Sequence, residues 1–227
     1  MGSWKTISRI LKNKIDNVTK NSSNQDINED IPFGMNIGGK VGIDISTFLL
    51  FEENLVTVKP LPEYNIISHG IAIIEGERID RLYLSTDIAT EAVLEIMHGE
   101  DDNSYESRFY IPFDRIYPQS KEEWAFWLDE KEGYIGWEAF ELNETIFDRL
   151  WMPGAQHVAP VSFTEKLNNG SDHINIHHET MMYARTLNAG NDMAEYLLAE
   201  LYSSPADDHI SIMTGVRMPA TGIRLIY

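Results

Sequence analysis

Between residues 1 and 20, Trp4, Ile7, Leu11, Ile15 and Val18 recur at steps of three and four, which is one face of a helix. Ser3 stands before this stripe as a cap, and the basic residues fall mostly off it. Residues 21–30 follow with almost nothing to bury, so they read as a flexible polar linker. One folded domain is then expected over 31–227.

Inside that domain the pattern changes to alternation and short β-branched runs. Strands are expected at 41–45, 55–58, 66–74 and 79–84, and at 108–116, where Pro112 marks an edge or a bulge. A hairpin over 134–142 and 145–151 should turn at Asn143 and Glu144, and 174–176, 180–187, 210–216 and 223–227 complete the strands. Three helices are expected. The first runs from Thr86 or Asp87 to about Met97, with Ile88, Ala92 and Ile96 on one side. The second follows the S-x-x-E box of Ser120 and Glu123, with Trp124, Trp127 and Leu128 apolar. The third covers 193–202, with Leu197, Leu198 and Leu201 buried. Runs of strands with interspersed helices predict an α+β fold: a mostly antiparallel sheet, three body helices and a separate N-terminal amphipathic helix.

Charge sharpens this division. The chain has 227 residues and a formal charge of −18. Residues 1–20 hold Lys5, Arg9, Lys12, Lys14 and Lys20 against Asp16 alone, a balance of +4, so −22 falls on the rest. An acidic body argues against nucleic-acid binding, which rests on cations neutralising phosphates. With 43% hydrophobic and 24% charged residues, the chain has the composition of a folded protein. No apolar run reaches the ~20 residues of a membrane span, and the start lacks the apolar core of a signal peptide. Cysteine is absent, which excludes disulfides and thiolate chemistry.

The candidate motifs are weak one by one. Gly34, Gly39 and Lys40 fit a phosphate loop, but Val41 stands where the magnesium-binding hydroxyl belongs and a strand follows. His173, His177, His178 and Glu179 carry metal-ligand chemistry. On a strand, however, His173 and His177 stand about 13 Å apart, so a solvated strand face is the better reading. The acidic groups at 100–102 and 207–208 lack the ligand spacing of a calcium loop. Ser171, Asp172 and His173 have the residue types of a hydrolytic triad without its geometry. Trp124, Phe126, Trp127, Trp137, Phe140, Phe147 and Trp151 crowd a short stretch, as a core between helix and hairpin or as a docking patch. Gly2 and Thr6 fit a short myristoylation pattern. No catalytic residue, cofactor or metal is assigned.

Several short segments occur in order: Arg81-Leu-Tyr-Leu-Ser-Thr, Glu123-Trp-Ala-Phe-Trp-Leu, Arg149-Leu-Trp151, Pro160-Val-Ser-Phe-Thr-Glu165 and Tyr183-Ala-Arg185. Through them the chain resembles the bacterial YjfK-like family, a domain of unknown function. The resemblance implies no catalytic residues. It implies a setting beside envelope-stress proteins similar to phage-shock protein A, hence a cytoplasmic accessory protein at the inner membrane surface.

The function expected from these readings is non-enzymatic and interactive. Trp4, Ile7, Leu11, Ile15 and Val18, assisted by Lys5, Arg9, Lys12 and Lys14, would contact a protein partner or an anionic membrane surface. The alternative is an enzyme or binding domain for a cationic small molecule such as a polyamine or basic peptide. Its mark would be a concave pocket where carboxylates converge between aromatic walls.

Overall fold

The computed structural model describes residues 30–86, 92–99, 105–187 and 193–226. In chain order its strands are β1 (Lys40–Ile43), β2 (Glu63–Ile74), β3 (Glu77–Ser85), β4 (Ala92–His98), β5 (Tyr105–Ile116) and β6 (Ala139–Leu142). They continue as β7 (Thr145–Arg149), β8 (Val161–Asn168), β9 (His173–Thr186), β10 (Ala194–Ser203), β11 (Asp208–Met218) and β12 (Ile223–Ile226). Among the described residues only two α-helices occur, α1 (Ser46–Leu50) and α2 (Lys121–Leu128).

Following antiparallel neighbours from β2 through β3, β4, β5, β11, β10, β9 and β8 leads back to β2, so eight strands close a barrel. The closing seam is short, His69–Ala72 of β2 against Glu165–Asn168 of β8. Closure is possible because β2 and β9 are long and change partner along their length. The first half of β2 pairs with β1, which carries β12, and the second half of β9 pairs with β7, which carries β6. These two wings cover the outside of the barrel. Under the first lie Tyr64, Leu82, Leu94 and Phe109 with Phe48 of α1, and under the second Tyr183, Leu197, Phe140 and Phe147.

This architecture overturns the α+β expectation, because the fold is mainly β. Residues 92–98 of the first expected helix are strand β4, and residues 87–91 lie outside the described residues. The third expected helix is strand β10. Both errors have one cause. A barrel strand roofed by a wing is buried on both faces, so its apolar residues do not alternate. In β4 six consecutive residues from Ala92 to Met97 are buried. In β10 Leu197 points out under a wing while Leu198 points into the lumen, a spacing that mimics a helix face.

The other expectations fare variously. Helix α2 has Ser120 as its cap, whose Oγ accepts from the Glu123 backbone N–H at 3.1 Å. Pro112 lies at a bulge, where the β5–β11 register shifts between Ile212 and Met213. The hairpin turns at Asn143 and Glu144, both at positive φ. Residues 55–58 form no strand, because Thr57 gives both its backbone N–H and its Oγ1 to Glu195 Oε1 at 2.6 Å. Strand β8 was not expected at all. Its alternation is regular, but Glu165 stands at an inward position where an apolar residue would have announced a strand.

Candidate functional site

The inward positions of the barrel carry an unusual load of charge. Register places Arg81 of β3 opposite Glu95 of β4, and Glu95 opposite Arg108 of β5. Glu200 of β10 lies opposite Thr180 of β9, and Glu165 of β8 comes from the seam. All of these are buried, as is His178. Arg81 is the hub. Its Nη1 lies 3.1 Å from Glu200 Oε2 and 3.6 Å from Glu165 Oε2, and its Nε lies 3.3 Å from Glu95 Oε2. Arg108 extends the chain of charges to Glu95 at 3.4 Å and Glu106 at 2.8 Å, and stacks over the Tyr196 ring.

On the other side of the hub the His178 ring bridges two carboxylates. Its Nε2 stands 3.0 Å from Glu165 Oε2 and its Nδ1 3.5 Å from Glu200 Oε2. Phe163 stacks on the ring, and the Tyr83 hydroxyl donates to Glu165 Oε2 at 3.0 Å. Burial pushes the Glu200 carboxyl up, but Arg81 and His178 outweigh it and hold it at about 2. Burial pushes His178 down, yet Glu200 and Glu165 reverse the effect and leave it raised.

One end of the lumen opens as a cavity of about 250 Å³ with Arg81 and Glu200 on its floor. The volume is below that of drug-sized pockets and suits a small ligand. Tyr83, Tyr202 and His209 form a polar and aromatic wall; Val93, Leu167 and Met213 form an apolar one. Two register shifts lie at this mouth, in β2 between Ile66 and Ser68 and opposite Pro112 in β5. Bulges at a barrel rim widen it and re-aim side chains, and here Ile67 and Pro112 both line the opening. At the rim Asp207 Oδ2 lies 3.1 Å from Nδ1 of His209, whose ring stacks on Tyr202. Burial pushes His209 down and Asp207 offsets this only in part. Burial, with Glu165 and Asp207 nearby, pushes the Tyr202 phenol up to about 12.

The motifs singled out in the sequence fall elsewhere. Trp4, Lys5, Ile7, Arg9, Leu11, Lys12, Lys14, Ile15 and Val18 lie outside the described residues, as do Gly2 and Thr6 and the acidic group at 100–102. Lys40 begins strand β1, so no helix follows the glycine-rich turn. His173 and His177 lie on the exposed side of β9, as expected of a solvated face, but His178 is on the opposite, lumenal side. Among the described residues no three His, Asp or Glu side chains converge as a metal site. Ser171 Oγ lies 2.9 Å from Asn169 Oδ1 and 3.1 Å from Asp172 Oδ2, either of which can accept its proton, in an exposed turn. Of the crowded aromatics, Phe140, Phe147 and Trp151 are core, Trp124, Trp127 and Trp137 are half-buried, and Phe126 is exposed. What sequence reading missed is the lumenal set of Arg81, Glu95, Arg108, Glu165 and Glu200, together with the inward position of His178. The available signal was charge inside alternating segments, as in Val161-Ser-Phe-Thr-Glu-Lys-Leu.

Comparison with known proteins gives a family and little else. The profile of a family described as proteins of unknown function, DUF2491, matches residues 10–224, and the chain belongs to that family. No curated protein and no solved structure matches.

Proposed function

We propose that this member of an uncharacterised family is a binding module whose barrel mouth takes a small molecule carrying a protonated amine, such as a polyamine or the end of a basic peptide. The observation that carries this reading is the charge of the lumen. Buried Arg81 and Arg108 face buried Glu95, Glu106, Glu165 and Glu200, so buried carboxylates outnumber buried guanidinium groups by two, while the exposed Arg217 reaches Glu106 at 3.8 Å and the exposed Arg115 stands with Asp207 at the mouth. Glu200 reaches the cavity floor, and among the described residues its Oε1 has only a 3.4 Å contact from Arg81, which leaves room for a further donor. The Tyr83 and Tyr202 rings beside it suit a cation, which aromatic faces attract. Titration calorimetry of the full chain with spermidine tests this. Binding that weakens at least tenfold in Glu200→Gln is expected; absence of heat with wild-type protein at millimolar amine overturns it.

A second reading rests on the charge split of the sequence, +4 on residues 1–20 and −22 on the remainder. In it the basic amphipathic segment contacts an anionic membrane surface or a partner, and the acidic body is held off by like charge. Likeness to the YjfK-like family supports a cytoplasmic accessory role near the inner membrane and in envelope stress. Among the described residues no helix is long and apolar enough to cross a membrane. Sedimentation with anionic vesicles tests it: the full chain should pellet and a chain lacking residues 1–20 should not. Equal failure of both removes the membrane version.

A further inference from the structure

The His178 ring shows a feature that amine binding alone does not explain. Both of its nitrogens face carboxylate oxygens, Nε2 towards Glu165 at 3.0 Å and Nδ1 towards Glu200 at 3.5 Å. Neither contact has the angle of a hydrogen bond, so what the two carboxylates share with the ring is proximity within ion-pair range in a buried space. Two carboxylates this close favour the imidazolium by its charge. The remaining groups around it do not change this account. Arg81 and Tyr83 approach from β3, Tyr202 from β10 and Phe163 from β8, and Arg81 is already shared among Glu95, Glu165 and Glu200. Neither Glu165, His178 nor Arg81 is more than 2% exposed, so the charge must be balanced within the lumen.

Without the His178 proton the buried groups are two guanidinium groups against four carboxylates, the exposed Arg115 and Arg217 aside; with it the buried deficit falls from two charges to one. An ammonium group seated on Glu200 from the cavity would produce the same reduction. Both cations would then share Glu200 Oε1 and Oε2 at short range inside a low-dielectric space, where like charges repel strongly.

On the amine-site reading above, we propose that the barrel holds one exchangeable positive charge, either the proton on His178 or the ammonium group of a bound amine, so that amine binding releases a proton. No covalent bond changes; the proton leaves a His178 ring nitrogen and ends on the buffer, while the amine enters already protonated. Glu200 and Glu165 hold His178 above its ordinary 6.5, so at pH 6 the ring is protonated and the amine must displace that proton. At low pH the amine must displace a proton and binds weakly; at higher pH it enters a vacant position and binds tightly.

Calorimetry of the full chain with spermidine and with n-hexylamine, in phosphate and in MES, tests the exchange. The two buffers differ in protonation heat, so the difference in binding heat counts the protons released. The expected result near pH 6 is release approaching about one proton per amine, with affinity rising up to ~10-fold per pH unit and levelling off at higher pH. His178→Gln should bind the amine with equal heats in both buffers and a flat profile. Asp207→Asn, which alters the other histidine's partner, should keep the release. In wild-type protein, nitrogen chemical shifts of the His178 ring should move from imidazolium to neutral on adding amine, a readout that does not depend on the variant folding. Amine binding with equal heats in both buffers by the wild type overturns the exchange and leaves the amine site standing. Proton release that survives His178→Gln but disappears in Asp207→Asn also overturns it, by assigning the proton to His209. Absence of binding by either amine removes the site and the exchange together.

Discussion

Gly70 shows how closely single residues are fitted to the barrel's charged interior. It lies on the seam strand β2, paired with Arg81 on one side and Leu167 on the other. A Cβ built there would overlap the Glu165 carboxylate. Glycine is therefore required for close approach, because its φ is ordinary. Gly70→Ala should destabilise the fold by about 1–3 kcal/mol through overpacking, measured as a lower urea midpoint with unchanged m-value. Arg81 is the complementary case. Removing it leaves Glu95, Glu165 and Glu200 buried around an apolar end, whereas Glu200→Gln keeps an acceptor for Arg81 and relieves part of the negative charge. Breaking a buried ion pair costs about 3–5 kcal/mol, so Arg81→Met should lower the urea midpoint well beyond Glu200→Gln. Equal effects would mean that Arg81 is not the hub the distances describe.

At the scale of elements, the sequence was most legible where one face meets solvent and least where both are buried. The hairpin of β6 and β7 was foreseen from its apolar flanks and the Asn143-Glu144 turn, and the structure has φ of 48° and 61° at these two residues. Such a two-residue turn favours glycine at its second position. Glu144→Gly should accordingly raise stability by about 0.5–1 kcal/mol, seen as a higher Tm, with no effect on the lumen. Helix α2 was legible through Ser120, and its half-buried Trp124, Trp127 and Leu128 pack against the core under the second wing. Strands β4, β8 and β10 were illegible for two opposite reasons. In β4 and β10 apolar residues on both faces erased the alternation, and in β8 Glu165 occupies an inward position. The same charges that define the candidate site thus disguised the strand that closes it. His178 was seen as a residue but assigned to the wrong side, because His173 and His177 next to it share the outer face.

For the whole molecule, buried titratable groups on both faces of the barrel wall set how stability follows pH. Glu200 is held at about 2, below the ordinary carboxyl of 4.5, and Asp80 is lowered although burial raises it, because His69, Arg78 and His98 bond to it. A lowered carboxyl stabilises the fold above its unfolded value and loses that contribution as pH falls through the folded one. His209 is lowered as well, so the unfolded chain binds its proton first and stability rises with pH up to about 6.5. His178 has the opposite sign. It is raised, so its contribution is complete below about 6.5 and is lost as pH rises through its folded value. The tyrosines act later: Tyr183 and Tyr202 are pushed up to about 12 by burial, so their neutral forms stabilise the fold until pH passes the ordinary 10. These signs predict a Tm that climbs from acid, peaks near pH 6 to 6.5, falls on the alkaline side of that peak and falls again above about pH 10. Calorimetric scans across this range check the curve, and His178→Gln should remove the first alkaline fall while leaving the acid limb in place. A wild-type Tm that keeps rising from pH 6.5 to 8 would show that His178 is neutral in the folded barrel.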